Sequence, residues 1–260
     1  MKGAPLRIAM LSVHSCPVGE LGTKDTGGMS VCIRELAREM GRRGHLVDIY
    51  TRFHGSACDR VVDLGTNVRL LHLRAGDLEA IDKQELFPHL EDFFRALEDM
   101  RSSEKLHYDL LHSHYWLSGR VGLWAQERWS IPHLLMFHTI GAVKNALFNR
   151  QMEPELRIDT EKELAARCDR VLTSSEIEKK HLLRYCGLSA EAVGVVPCGV
   201  DLERFHPVDK ARARERLALD PREPVVLYVG RFAALKGIDR LLEAVSHMKR
   251  RRDLRLMIVG

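Results

Sequence analysis

Short apolar runs alternate with amphipathic stretches along the whole chain, and that rhythm predicts a layered α/β protein. Strands are expected at residues 7–12, 46–50, 68–73, 109–114, 133–138, 171–174 and 193–197. Helices are expected at 29–43, 82–100, 118–129, 155–167 and 176–185, where apolar residues recur at helical spacing, as with Ile33, Leu36, Ala37 and Met40 ahead of Gly44. Such alternation implies a parallel sheet covered on both faces, with ligands in the crevice beyond the carboxyl ends of the strands. The loops at 12–28, 112–118, 137–144 and 173–176 therefore form the candidate site. A second βαβ unit is expected in strand 225–229, helix 238–249 and strand 254–259. The charged run from Lys210 to Arg216, in a stretch punctuated by Pro207, Pro221 and Pro224, reads as a solvated helix face near the boundary between the two units. The first domain is expected over 1–205, and a linker with an incomplete second domain over 206–260. A single βαβ unit cannot cover its own sheet faces, so the second unit should be the less stable.

Composition narrows the class. A 45% hydrophobic and 29% charged chain of 260 residues can bury a sizeable core. The net charge of +4 is scattered, without a basic stripe interleaved with aromatics, so nucleic acid is not an expected partner and anionic small molecules are. The apolar stretch Leu6 to Leu11 is too brief for a signal sequence or a membrane span, and a cytoplasmic protein is expected. Six cysteines (Cys16, Cys32, Cys58, Cys168, Cys186, Cys198) show no CxxC pair, which fits reduced, mostly packed thiols.

The candidate chemistry sits at the strand ends. Thr26-Gly27-Gly28-Met29-Ser30 lies between the first strand and first helix, where glycines admit close backbone approach and the helix N-terminus favours a phosphate. An ordinary strand-to-helix turn would look similar. It is not a GxGxxG fingerprint, and Tyr50-Thr51-Arg52 stands where a dinucleotide fold ends its second strand in an acid, which disfavours a nicotinamide enzyme. His112-Ser113-His114-Tyr115-Trp116 puts two imidazoles on one strand face. A metal would need a third ligand that is not evident nearby, so a packed or ligand-facing polar cluster is the better reading. His138-Thr139, ending the next strand, would line the same crevice, or be a satisfied structural pair. Lys83, Arg157, Arg231 and Lys236 are spread over both units, as anion binding on two walls of a cleft would need; each taken singly reads as a solvated surface charge.

Together these residues resemble glycosyltransferase family 4. The resemblance is carried by Gly27-Gly28-Met29, Val47 to Arg52, His112 to Gly119, His138-Thr139 with Val143-Lys144-Asn145, Arg157-Ile158, Val196 to Asp201 with Phe205-His206-Pro207, and Gly230-Arg231 with Lys236-Gly237. It implies the two facing Rossmann-like domains of the GT-B architecture, with an acceptor domain followed by the first βαβ unit of a donor domain. It also implies a retaining enzyme that moves a hexosyl group from a nucleoside diphosphate sugar, with uridine the expected base, and needs no metal or other cofactor. The branch it most resembles contains inositol-phosphate glycosyltransferases and sucrose-phosphate synthases, whose acceptors are sugar or cyclitol phosphates. On that likeness Gly27 and Gly28, Arg231 and Lys236 would hold the donor diphosphate. His138 would meet the donor sugar or acceptor at the reacting carbon, and Lys83, Tyr115, Thr139 and Arg157 would hold the acceptor phosphate. Ser30 and Cys32 stand where the inositol-phosphate enzymes commonly have Asn and Tyr, so Ser30 is expected to make a different acceptor contact. The family's Glu-x7-Glu motif belongs beyond Gly260; Glu153/Glu161 and Glu155/Glu163 repeat the spacing here only as a helix-surface coincidence. The chain as given is therefore expected to bind donor weakly and turn over little. Two alternatives remain: a sugar-phosphate-binding regulatory protein derived from a transferase, or a GT-B nucleotide-sugar epimerase or phosphorylase.

Overall fold

The computed structural model describes residues 4–20, 26–53, 59–77, 81–83, 85–148, 151–233, 236–249 and 253–260. Its core is an eight-stranded sheet in the order β3-β4-β2-β1-β5-β6-β7-β8. The strands are β1 (Arg7–Leu11), β2 (Leu46–Arg52), β3 (Val61–Gly65), β4 (Val68–Leu73), β5 (Leu110–His114), β6 (His133–Met136), β7 (Arg170–Thr173) and β8 (Val193–Val195). All neighbours pair in parallel except β3, which runs antiparallel to β4 at the edge. The sequence pattern predicts neither β3 nor its direction, because Val61-Val62-Asp63-Leu64 is too short and too exposed to show a buried period.

Alternation along the strands builds two apolar layers. Ile8, Met10, Val47, Ile49, Val68 and Leu70 face α1 (Gly28–Arg42) through Ile33 and Ala37. Ala9, Leu11, Tyr50, Leu71 and Leu111 face the opposite way, packing with Phe93 and Leu97 of α2 (Leu90–Ser103) and with Leu117 and Val121 of α3 (Tyr115–Trp129). Helix α2 starts eight residues later than the pattern predicts. Pro88 confines the entry to a single 3-10 turn, Phe87–His89, and leaves Lys83 in the turn ahead of it. Helix α3 starts three residues earlier than predicted, directly from β5. Three more helices complete this part: α4 (Gly141–Phe148), which falls in an expected loop, α5 (Glu155–Arg167) and α6 (Glu176–Cys186).

One buried acid braces the end of the sheet away from the crevice. The Asp48 carboxylate accepts from Tyr108 Oη at 2.8 Å, Arg69 Nε at 2.7 Å and Arg7 Nη1 at 3.2 Å. Three donors on two oxygens make burial of this charge tolerable.

The chain divides into two compact units between Cys198 and Gly199. The second unit contains α7 (Lys210–Arg216), β9 (Val225–Val229), α8 (Ile238–Ser246) and β10 (Arg255–Val259), with β9 and β10 paired in parallel. None of the described residues of β9, α8 or β10 is buried. None of the described cysteines is in a disulfide; Cys16 is buried, Cys198 is exposed, and Cys58 lies outside the described residues.

Close packing of α3 on β5 depends on Gly122. A Cβ there would fall 2.3 Å from Ser113 Oγ and 2.5 Å from the His133 ring, which are themselves hydrogen bonded at 2.8 Å. Gly122→Ala is expected to destabilise the first unit by about 1–3 kcal/mol by overpacking. Urea unfolding measures this, and a change below about 0.5 kcal/mol would mean the helix can shift freely.

Candidate functional site

Three turns at the carboxyl edge of the sheet bring the expected residues of the first unit together. After β1, His14 reaches the Tyr115 ring, with centroids 4.4 Å apart. In the same loop Ser15 Oγ meets Ser30 Oγ at 2.6 Å, tying the turn to the first residues of α1. The Ser30 hydroxyl, expected to face an acceptor, is thus wholly buried against Ser15. Gly27 caps α1 without a side-chain bond, Gly28 is exposed, and among the described residues nothing lies within 4 Å of a Cβ built on Gly28. That leaves an open helix N-terminus suited to an anion.

After β5 and β6 the backbone enters the left-handed region at two non-glycine residues, Tyr115 at φ 75° and His138 at φ 60°. Such conformations cost about 1–3 kcal/mol each and persist where surrounding contacts over-determine them. Those contacts are visible. Tyr115 is buried, with His14 on one side and the Arg157 guanidinium carbon 4.8 Å from its ring centroid. Beyond His138, Thr139 is held by Arg157 Nη2, which donates to the Thr139 carbonyl at 2.9 Å and to its hydroxyl at 3.0 Å.

Arg157 itself is 1% exposed. Its Nε donates to Glu161 Oε1 at 2.7 Å, and the other oxygen of Glu161 accepts from the Gly141 amide at 2.8 Å. A Cβ on Gly141 would come within 3.2 Å of Arg157 Nε, a tight contact that favours a glycine at the start of α4. Arg157 Nη1, itself buried, pairs with Glu153 Oε2 at 2.8 Å. Glu153 is also paired with Lys144 at 2.7 Å. Both glutamates are buried, at 8% and 1% exposure, which corrects the surface-coincidence reading: the eight-residue spacing places two carboxylates on either side of one guanidinium. Burial pushes the Glu161 carboxyl up against the pull of Arg157. Lys83 is near enough for its charge, with those of His138 and Arg157, to oppose protonation of His14. Three cations (Lys83, Lys144, Arg157) and two carboxylates (Glu153, Glu161) thus lie together, a charged group of the kind that recognises anionic ligands.

A column of imidazoles adjoins this group. His112 and His114 have ring centroids 4.2 Å apart, and His114 Nδ1 is 2.9 Å from His138 Nε2. The sequence places all three at one strand edge, whereas it gives no sign of His14, which lies between aperiodic residues. Among the described residues no group of three or more side chains has the arrangement of a metal site. Burial lowers His14 and His112 to about 3 and His133 and His138 to about 4, and His114 well below its ordinary value, so all five are neutral near pH 7. The last turn of the crevice is closed by Glu178, whose carboxylate accepts from the Thr173 hydroxyl and the Ser174 amide at the start of α6.

In the second unit Arg231 follows β9 and Lys236 stands just before Gly237, which caps α8 at φ 67°; both cations are exposed. They stand at a strand's carboxyl end and a helix's N-terminus, the positions where this class of fold offers an anion site.

Residues 26–204 match the family model Glycosyltransferase Family 4, and residues 209–260 match Glycosyl transferases group 1. The chain belongs to glycosyltransferase family 4. As a family 4 chain it is 40% identical, over 94% of its length, to D-inositol 3-phosphate glycosyltransferase of Geodermatophilus obscurus, and covers 55% of that protein. It is also 40% identical to D-inositol 3-phosphate glycosyltransferase 2 of Catenulispora acidiphila over its whole length, covering 63% of that relative. The chain thus spans a little over half to under two thirds of these curated relatives. Among solved structures it resembles sucrose-phosphate synthase of Thermosynechococcus elongatus, with a TM-score of 0.89 at 33% identity, over 98% of this chain and 62% of that one. The α/β class and the GT-B architecture follow from these matches. No helix among the described residues is long and apolar enough to cross a membrane.

The neutral histidines make the family 4 chain acid-sensitive. Their folded values lie below the ordinary 6.5, so unfolding takes up protons once the pH falls below about 6.5, and stability is lost on going down toward pH 4. For His112 and His133, the two well-buried rings held near 3 and 4, the expected loss is roughly 3 kcal/mol per pH unit near pH 5, at about 1.36 kcal/mol per proton. Unfolding free energies at pH 7.5, 6 and 5 measure this; a flat profile down to pH 5 would contradict it.

Proposed function

We propose that the protein carrying this chain is a retaining hexosyltransferase that uses a nucleoside diphosphate sugar, with uridine as the expected base, and a sugar- or cyclitol-phosphate acceptor. The observation that carries the reading is the cationic group at the sheet edge, Arg157 against Tyr115 and Thr139 with Lys144 and Lys83 close by. A phosphate monoester carries about −1.5 to −2 charges near neutrality and accepts several hydrogen bonds, which is what such a group satisfies. The relatives named for inositol 3-phosphate and for sucrose phosphate point the same way. In this reading residues 1–205 bind the acceptor and 206–260 begin the donor domain.

Lys83, Tyr115, Thr139 and Arg157 hold the acceptor phosphate, while Ser30 acts through Ser15 by bracing the loop that carries His14. Gly27 and Gly28 offer backbone amides to the donor diphosphate, and Arg231 and Lys236 neutralise it, supplying the electrostatic stabilisation that a divalent cation gives elsewhere. His138 lies against the transferred sugar. The acceptor hydroxyl attacks the anomeric carbon on the face from which the diphosphate departs. The carbon–oxygen bond to diphosphate breaks, the new glycosidic bond forms, and the hydroxyl proton passes to the leaving phosphate oxygen, so no carboxylate nucleophile is required.

Incubating the protein at its full natural length with uridine diphosphate hexoses and inositol 3-phosphate, fructose 6-phosphate or glucose 6-phosphate tests this. The expected product is a phosphorylated glycoside with the donor's anomeric configuration, identified by proton NMR coupling. Inverted product would overturn the mechanism, and conversion of the nucleotide sugar without acceptor would favour an epimerase. The whole acceptor group belongs to the first unit, which also keeps a sugar-phosphate sensor in view; phosphate binding without any transfer would select it.

Arg157→Lys is the informative substitution, because Arg157→Ala would strand Glu153 and Glu161 and cost about 3–5 kcal/mol of stability. The lysine variant is expected to fold and to weaken acceptor binding about tenfold or more, since an ammonium cannot replace the fork.

A further inference from the structure

His114 touches no surface: it is 0% exposed at the end of β5, and its role is set by its two nitrogens. Nδ1 lies 2.9 Å from His138 Nε2, while Nε2 is buried with no hydrogen-bond partner among the described residues. Both rings are neutral, so each has one N–H and one lone pair, and one proton bridges the pair. If His138 Nε2–H donated to His114 Nδ1, the proton of His114 would sit on Nε2 as a buried N–H without an acceptor. The neighbouring His112 ring, tilted 41° to His114, does not present the perpendicular face that an N–H would need. If His114 Nδ1–H donates instead, the site left without a partner is a bare lone pair, the less exacting of the two. His138 then carries its own proton on Nδ1. That ring is half-buried, and its backbone is fixed at φ 60° next to the Thr139 that Arg157 clamps.

We propose that His114 is a positioning residue that holds His138 in the Nδ1–H tautomer, so that His138 offers a hydrogen-bond donor, and not an acceptor, to the oxygen-rich ligand at the sheet edge. The orientation of the ring comes from the Arg157–Thr139 clamp and the identity of the proton from His114. A donor suits a hexosyl hydroxyl or ring oxygen. The consequence for transfer rests on the glycosyltransferase reading above; the tautomer does not.

The test is long-range proton–nitrogen NMR of the 15N-histidine-labelled chain at pH 8, with the His138 resonances assigned by their loss in His138→Gln. A preference of about tenfold or more for Nδ1–H is expected, the ratio that a stranded N–H of about 1.4 kcal/mol implies. His114→Asn, whose amide nitrogen sits near the position of Nδ1 and can donate, should keep that tautomer. His114→Asp, which can only accept, should invert it to Nε2–H. An Nε2–H tautomer in the unaltered chain overturns the proposal, as does an unchanged His138 tautomer in a folded His114→Asp. Should the aspartate variant not fold, the unaltered chain and the asparagine variant still decide.

In the full-length protein, His114→Asp should lower kcat about tenfold or more with KM changed less than about twofold, and His114→Asn should restore most of the rate. The expected tautomer without any hexosyl transfer would count against the functional reading alone; transfer with an Nε2–H His138 would count against this proposal alone. The expected tautomer with an unchanged kcat in His114→Asp would overturn the positioning role.

Discussion

The buried guanidinium of Arg157 is the interaction on which the sheet edge depends. It cannot be 1% exposed without compensation, and the compensation reaches in three directions: along α5 to Glu161 and back to Glu153 just ahead of it, through Glu161 to the first amide of α4, and across to the carbonyl and hydroxyl of Thr139. Thr139 in turn pins the left-handed residue His138, and the face of the guanidinium lies on Tyr115, the other left-handed residue. One charge thereby holds together the ends of β5 and β6 and the starts of α4 and α5. Two carboxylates against one guanidinium would over-neutralise it, and Lys144 offsets one of them. A rigid charged site results, assembled before any ligand arrives, which is the condition under which electrostatic recognition is strong.

The imidazole column beside it is the apolar counterpart. Four histidines, His14, His112, His114 and His138, buried or half-buried at one sheet edge would repel one another if charged, and burial keeps them neutral far below pH 7. Neutral imidazoles can each donate once and accept once, so proton position becomes structural information carried from ring to ring. The cationic group and the neutral column meet at the 138–139 dipeptide, where the phosphate end and the sugar end of an acceptor would also meet.

Much of this was legible in the amino-acid pattern, and the exceptions have physical reasons. The βα alternation, the strand-end histidines and the glycine turn before α1 all carry local signals of period or composition. Helix α2 was misplaced because Phe87 continues the apolar spacing that Pro88 then interrupts. Strand β3 was missed because an exposed edge strand needs no buried face, and α4 because its entry depends on a contact with Arg157 that no local pattern records. The same holds for the site. Arg157 was legible as a cation, but its burial between Glu153 and Glu161 comes from tertiary packing, and so does the inward turn of Ser30 toward Ser15. His14 was silent, since a histidine in a loop acquires meaning only from the Tyr115 ring against it.

The central claim is that the edge of the first unit is built for a phosphate monoester attached to a hydroxylated ring. Titration calorimetry of the chain with inositol 3-phosphate and with unphosphorylated inositol, in low and in high salt, tests it most directly. The account predicts that the phosphorylated ligand binds at least about a hundredfold more tightly, roughly 2.7 kcal/mol for two charge-assisted contacts, and that added salt erodes the difference. Equal affinities for the two ligands, or a preference that salt leaves untouched, would contradict it.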